Sequence, residues 1–513
     1  MTKSRTKNSI KNIIFSFIGY IFTILLQFIN RSVFVRLLSA EYLGLNGLFS
    51  NILSLLALSE LGIGTAMTYT LYKPISNGDT EKIKSLMHLY KKMYTIIGCF
   101  VLGAGCAISP FLPYFIEDMS ALKFITVYYL LYVLNSGVSY FYTYKRTLII
   151  CDQHAYISTT TQTIASVLTK LVQIIALLLT HNYLLFLLVQ IFFTVAENIF
   201  ISKIADKRYP FLKESNISKL EQTEKDNISK NIKAMLCHKI GFVAVTATDN
   251  LILSKILGLV SVGLYSNYSL IMDNVAALTD RMFFSVSASV GDLIAEDDTK
   301  HSEQVLYNLL FINYWVISFC ATCLYCLLQD FIVLWLGKDF LLSGFTVLVI
   351  VLCFYVSRMR NTVNIFKEAA GILRQDRYKA IIESIVNLAL SIPLTYKLGV
   401  AGVKLGTLLS TLLIPFWIEG YVLFKHYFHK SFKWYMLKQA GYLLSFSLIT
   451  MVTSMICDVL PYEGLLAFVL KLIICCIVPN VLITALFFKT EGFRYLSRKI
   501  FKLFTKKIKR NGH

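Results

Sequence analysis

The sequence predicts an all-α polytopic membrane protein with about fourteen transmembrane helices, and three observations carry that expectation. Of 513 residues, 56% are hydrophobic and only 16% charged, with a mean hydropathy of +0.62. Soluble domains carry about 25% charged residues. Apolar runs of about 20 residues, long enough to cross the hydrocarbon core, recur from end to end. The net charge of +20 sits in short loops and tails between those runs, where the positive-inside rule places it; this argues against a nucleic-acid partner.

In chain order, the first apolar segment lies near 10–37, behind the basic start MTKSRTKNSIKN. It runs for about 25 residues, whereas a signal peptide's apolar core is about 7–15 residues and ends at a small-residue cleavage site. It is therefore expected to remain as a helix. Ser16, Tyr20, Thr23, Gln27 and Asn30 with Arg31 recur along it at steps of three or four, a polar line on one face. Segment two, 43–73, carries Glu60, followed at once by Gly62 and Gly64, which permit a bend or a close helix approach. Segments follow near 84–111, 122–149, 155–180 and 183–203. The outer loops are short, the longest being SPFLPYFIEDMSALK at 109–123.

The polar stretch 206–230 separates these six spans from eight more. Segment seven, 231–257, carries His238, Lys239 and Asp249, the first and last nearly on one face. Segment eight, 261–289, repeats the polar pairs Ser266/Asn267, Asp273/Asn274 and Asp280/Arg281 at every second turn. Segments nine and ten are expected at 304–329 and 332–357. Cys320, Cys323 and Cys326 (CATCLYC) fall within segment nine with no second ligand pair nearby. Structural zinc takes four ligands, so neither a metal site nor a disulfide framework is expected. Segments at 377–396, 400–425, 434–459 and 464–488 complete the count, interrupted by Pro393, Pro415 and Pro479.

An even number of spans places both termini on one side, and the cations choose the cytoplasm. Of the 50 Lys and Arg, only Arg36, Lys123, Lys255, Lys338, Lys397 and Lys404 fall at outer loops or helix ends. Arg31, Lys170, Lys239, Arg281 and Lys471 remain inside spans, and the others lie in inner loops and tails. That bias fixes orientation. A faint internal repeat supports parallel halves: NSIKNI at 8–13 recurs as NISKNI at 227–232, and at the same offset LGL (43–45) meets VGL (262–264) and Arg36 meets Lys255. Halves inserted the same way up are related by a pseudo-two-fold axis along the membrane normal, with the substrate site expected at their interface.

A charge at the bilayer centre costs at least about 2.5–3.5 kcal/mol, so intramembrane polar stripes mark a pathway. A water-filled cavity lined by segments one, two, seven and eight is expected. Its candidate substrate-binding residues are Arg31, Glu60, Lys239, Asn267, Asn274 and Arg281; those for ion coupling are Glu60, Asp249, Asp273 and Asp280. Plainer roles stand beside these. Arg31 is near enough to the outer end to snorkel, Glu60 suits a structural ion pair, His238 alone suits core packing, and Lys170 and Lys471 suit structural or snorkelling roles. Asp280 and Arg281 are adjacent, do not face each other on a helix, and need partners elsewhere.

Two blocks carry a family resemblance. The run LGLNGLFSNILSLLALSELGIGTAMTYTLYKPISNGDTEKIKSLMHLYKKMY (43–94) resembles the N-terminal signature of the polysaccharide repeat-unit (O-antigen/capsule) flippases. These form the polysaccharide-transporter branch of the multidrug/oligosaccharidyl-lipid/polysaccharide superfamily. RMRNTVNIFKEAAGILRQDRYKAIIESIVNLALSIPL (358–394) with LGVAGVKLGTLLSTLL (398–413) is similar to its later part. The resemblance implies two six-helix lobes, here 1–205 and 231–430, joined by a cytoplasmic linker at 206–230. Two additional helices at 431–490 and a basic cytoplasmic tail at 491–513 complete the division. It also implies movement of undecaprenyl-pyrophosphate-linked oligosaccharide from the inner to the outer leaflet of a bacterial cytoplasmic membrane. A polysaccharide polymerase and glycosyltransferases are the implied partners, and the chain is expected to act as a monomer. No site residue is carried across from the family. No G-x-x-x-x-G-K loop is present, so no cofactor is expected and coupling falls to Na+, H+ or membrane potential. The competing readings are a multidrug or small-solute antiporter of the same architecture and, as an enzyme, a membrane polysaccharide polymerase or glycosyltransferase. The short outer loops argue against the enzyme, with Glu117 and Asp118 read as a solvated pair.

Overall fold

The structure, a computed structural model, describes residues 2–60, 63–116, 124–214, 218, 220–295, 298–372, 375–376, 378–460 and 464–499. The side chains of 2–18, 20 and 233–246 and of a few isolated positions lie outside that description. The described residues hold helices and no strand. In order they are α1 (Thr2–Leu37), α2 (Ala40–Leu56), α3 (Ile63–Asn77), α4 (Thr80–Ile108), α5 (Ile125–Cys151), α6 (Ala155–Thr180), α7 (Tyr183–Arg208) and α8 (Gln222–Ala295). After them come α9 (Thr299–Trp335), α10 (Gly344–Met359), α11 (Asn361–Ala369), α12 (Lys379–Leu398), α13 (Val400–Leu413), α14 (Pro415–Leu423), α15 (Lys433–Asp458) and α16 (Gly464–Phe487). Among the described residues ten helical stretches are long and apolar enough to cross a membrane.

Local chemistry explains where the helices begin and end. Asp79 caps α4 by accepting from the Lys82 amide at 3.0 Å, and Asn182 caps α7 by accepting from Leu184 at 2.8 Å. Asp298 accepts from both the Lys300 and His301 amides at the start of α9. Such caps satisfy amides that the first helical turn leaves unpaired. Within α8 the helix is interrupted at Gly258, whose φ of 79° is a left-handed conformation that a residue with a Cβ resists. The break divides α8 into two arms, which correspond to the expected segments seven and eight.

Two expected spans differ in detail. Segment two breaks into α2, a 3-10 turn over Ala57–Glu60, and α3, so Glu60 sits where the α-helix ends. The expected boundary between segments nine and ten, 329 to 332, lies inside α9. Asp330 does not end that helix because Lys471 of α16 pairs with it at 2.7 Å. The stop comes later, at Gly337 with φ 105°, and Ser343 then caps α10.

The chain divides into two compact units, Met1–Gly263 and Leu264–His513. In the first, α1 packs on α6, α4 on α5, and both α5 and α6 on α7. Its core gathers Met67, Leu71, Leu86, Tyr90, Tyr94 and Val101. The polar stretch after α7 docks on the start of α4: Lys84, buried, pairs with Glu81 at 2.8 Å and Glu214 at 2.9 Å, and the Ser85 hydroxyl donates to the Ser218 carbonyl. The sequence repeat also has a physical counterpart here. A Cβ on Gly44 would stand 2.0 Å from the Leu259 carbonyl oxygen, and one on Gly263 would stand 2.2 Å from that of Ala40. Gly44 and Gly263, like Ala40 and Leu259, are one repeat apart, so the two contacts are equivalents of each other.

In the second unit α12 and α13 form a tight antiparallel pair, α10 packs on α13, and α9 packs on α10, α15 and α16. Tyr314 of α9 stacks on Tyr442 of α15 at 4.3 Å, and Tyr355 of α10 on Phe446 at 4.2 Å. The outer faces of both units expose Leu, Ile and Val, with Leu179, Leu444 and Val459 more than 70% open. Contiguous apolar surface of that kind is costly in water and natural against lipid. The chain is a multi-pass membrane protein.

Candidate functional site

Glu60 is the first polar group placed by the fold. Half-buried at the end of its 3-10 turn, it accepts the Tyr94 hydroxyl at 2.5 Å, and the Tyr140 hydroxyl also lies within hydrogen-bond reach. Tyr90 braces Tyr94 edge to face at 4.7 Å and shares a hydrogen bond with Thr147. Gly64 explains the small residue that follows: a Cβ there would lie 3.2 Å from the Tyr94 hydroxyl and crowd the cage. Among the described residues the hydrogen-bond partners of Glu60 are thus uncharged phenols. Among the described residues the site is a carboxylate in a tyrosine cage.

The other predicted residues of the first unit fall in separate places. Arg31 lies within electrostatic reach of Tyr132, whose hydroxyl donates to Asn46 and shares a hydrogen bond with Tyr183 at 3.2 Å. Beside it Asn30 donates to Gln173, which in turn donates to the Phe186 carbonyl. Asp249 is only 4% exposed on α8. The side chains of His238 and Lys239 lie outside the described residues.

In the second unit the stripe on α8 meets cations. Arg358, at the end of α10, donates to both oxygens of Asp280 at 2.6 Å, and Asn361 adds a third hydrogen bond at 3.0 Å. Asp273, two turns earlier, lies within electrostatic reach of Arg358 and of Lys404 on α13. Lys404 also stands over the Tyr265 ring at 4.9 Å. Asn274 donates to its own helix at the Leu270 carbonyl, Asn267 is fully buried, and Arg281 is exposed. Asp273 and Asp280 are therefore brought together through Arg358. Asp280 is 49% open and Arg358 26%, so the pair is accessible and can exchange partners.

Sequence reasoning passed over a larger network in the same unit. Arg360 grips Glu419 of α14 with a two-pronged contact, Nε at 2.8 Å and Nη2 at 2.7 Å. Lys379 joins Glu419 and Asp376, and Lys367 also holds Asp376. Glu419, Lys367 and Asp376 are each at most 5% exposed. The fold supports this where α10 ends, since the buried Asn313 amide donates to the Arg358 carbonyl at 3.1 Å. The first unit holds a similar tie, in which Arg146 of α5 bonds both carboxylate oxygens of Glu197 of α7, and Lys145 pairs with Asp206 at 2.7 Å. One signal was available: Glu419 is the sole carboxylate in the apolar segment 400–425, and a carboxylate there needs a cation.

Residues 9–279 match the family described as "Polysaccharide biosynthesis protein". No curated protein matches the sequence. Among solved structures, the fold is similar to that of a lipid II flippase, MurJ, in an inward closed conformation. That likeness has a TM-score of 0.67 at 15% identity and covers 93% of this chain and 99% of that one. It is also similar to an inward-facing multidrug resistance MATE family transporter of the MOP superfamily, with TM-score 0.62 at 12% identity, covering 77% of this chain and 93% of that one. A MOP superfamily transporter from Pyrococcus furiosus, described as having a binding pocket of reverse polarity, gives TM-score 0.52 at 10% identity over 81% of this chain and 94% of that one. At these identities the likeness is one of fold.

Proposed function

The chain belongs to the polysaccharide biosynthesis protein family, and from that premise we propose that it is a flippase for lipid-linked oligosaccharide. Its cargo is an undecaprenyl-pyrophosphate-linked repeat unit, carried from the inner to the outer leaflet of a bacterial cytoplasmic membrane for surface polysaccharide synthesis. The observation that carries the reading is the family match to a chain built of membrane-spanning helices. The chemistry of the second unit supports it. A pyrophosphate carries about two negative charges at neutral pH, and Arg recognises such oxygens by two-pronged contacts. Arg358 is accessible and held by a carboxylate that a phosphate can displace, with Lys404 and Arg281 on the same unit. Tyr and Asn side chains suit sugar hydroxyls, and the polyprenyl tail stays in the bilayer. With both termini cytoplasmic, Arg358 lies toward the inner end of α10, where cargo enters, and alternating access carries it outward. No catalytic step is needed.

The test is surface polysaccharide in a strain lacking the native gene, normalised to the membrane level of each variant. Arg358→Glu and Arg281→Glu abolish export, the alanine variants weaken it, and the lysine variants keep part of it. Normal export by well-expressed Arg358→Glu and Arg281→Glu variants contradicts pyrophosphate binding by these cations. A second reading, a small-solute antiporter, is favoured by one observation, the carboxylate cage at Glu60. Export of organic cations by a strain whose polysaccharide is unaffected would select it.

A further inference from the structure

Four thiols that are scattered in the sequence converge at one point of the second unit. Cys323 and Cys326 are one helical turn apart on α9, Cys457 stands at the end of α15, and Cys475 lies in the middle of α16. The sulfurs of Cys326, Cys457 and Cys475 all lie within 4.8 Å of one another. The Cys323 thiol donates to the Cys475 carbonyl at 3.6 Å, and all three of the other thiols are within hydrogen-bond reach of the Cys475 sulfur. Cys457 and Cys475 are 2% and 0% exposed, packed with Leu327, Phe468 and Ile474. The second ligand pair that the sequence around CATCLYC lacks is supplied by the fold.

We propose that Cys323, Cys326, Cys457 and Cys475 form a thiolate site for a soft cation of the zinc class, which clasps α15 and α16 onto α9. Zinc takes four thiolates tetrahedrally at about 2.3 Å, which sets the sulfurs about 3.8 Å apart. The sulfurs of Cys326, Cys457 and Cys475 lie within 4.8 Å of one another, and Cys323, one turn along α9, supplies the fourth ligand. Four thiolates from three helices match the softness of such an ion. Binding releases the thiol protons to solvent and leaves the site with two net negative charges. Lys471, one turn from Cys475 and paired with Asp330, lies within electrostatic reach of Cys457 and Cys475. An isolated buried cysteine acts as a small apolar side chain. Three directed at the sulfur of a fourth, in an apolar shell, make a ligand set.

The tag-free full chain, purified in lipid nanodiscs under a phosphine reductant, is loaded with Zn2+, desalted and assayed for metal per chain. About one zinc is expected per chain. Cys475→Ser and Cys326→Ser lower the affinity at least tenfold, while Cys99→Ser, on an exposed face of α4, retains it. Cd2+ loading gives a cadmium–thiolate charge-transfer absorption that Cys475→Ser loses. If the serine variants do not fold, alkylation of the unsubstituted chain decides: Zn2+ slows maleimide labelling of Cys326, the half-buried member of the set, and leaves Cys99 reactive. Zinc retained equally by Cys475→Ser, alkylation unaffected by the metal, or a disulfide joining any two of the four thiols in protein purified without reductant overturns the proposal.

Discussion

A carboxylate in a helix that crosses a bilayer must find donors within the protein, and Glu60 finds two tyrosine hydroxyls. The sequence showed the conflict, an acid in an apolar run followed by glycines, but not its resolution. Tyr94 and Tyr140 lie 34 and 80 residues away on other helices, and tyrosine is common throughout the chain, so nothing local marks them as partners. Hydrogen bonds to a charged group contribute about 1.5–3 kcal/mol. Tyr94→Phe should lower thermal stability by about that amount in a purified, detergent-solubilised chain. Glu60→Gln should leave membrane abundance near normal yet reduce export by about tenfold or more if the carboxylate carries the coupling ion. Full export by Glu60→Gln reduces Glu60 to a structural role. Asp280 teaches the complementary lesson. The seven-residue stripe marked it as polar and purposeful, but its partner Arg358 was read only as part of a family signature.

At the scale of elements, apolar length located nearly every span, because lipid demands about 20 apolar residues whatever their order. Breaks were less legible, since they depend on tertiary partners. Asp330 continues a helix because Lys471 answers it, and Gly258 ends one by its backbone alone. The buried network around Glu419 ties α14 to Arg360, Lys379 and Asp376 in the second unit. Removing one member of a buried ion pair costs about 3–5 kcal/mol, because the partner is left charged and unpaired. Glu419→Ala should therefore lose most of its folded protein, read as membrane abundance and melting temperature. Arg360→Met should cost less in a Glu419→Leu background than alone, by about 0.5–3 kcal/mol of coupling; strictly additive losses contradict the pairing. The repeat makes a paired prediction. Gly44→Ala and Gly263→Ala each force a Cβ against a backbone carbonyl, and overpacking of this kind costs about 1–3 kcal/mol. The two should destabilise by similar amounts, and a tolerated Gly263→Ala contradicts the close approach.

For the whole molecule, composition alone announced an all-helical membrane protein, and charge placement set an expectation for its orientation. The orientation is tested with single cysteines on a cysteine-free background. Tyr114→Cys, 71% exposed beyond α4, should react with an impermeant maleimide in intact cells, and Lys213→Cys only after permeabilisation. The reverse pattern inverts the topology. The family was legible because a long stretch of sequence, residues 9–279, is shared, whereas the residues proposed to hold cargo were not, since Arg281 and Arg358 come from spans far apart in the chain. The central claim is movement of a lipid-linked oligosaccharide across the bilayer, and the most direct measurement reconstitutes the chain into vesicles carrying a fluorescent undecaprenyl-pyrophosphate oligosaccharide on the inner leaflet. Its appearance on the outer leaflet is followed by an impermeant lectin or glycosidase. The account predicts exposure at least tenfold faster than in protein-free vesicles and return to that background with Arg358→Glu. Exposure no faster with the chain than without it, under imposed Na+ and H+ gradients of either sign, would contradict it.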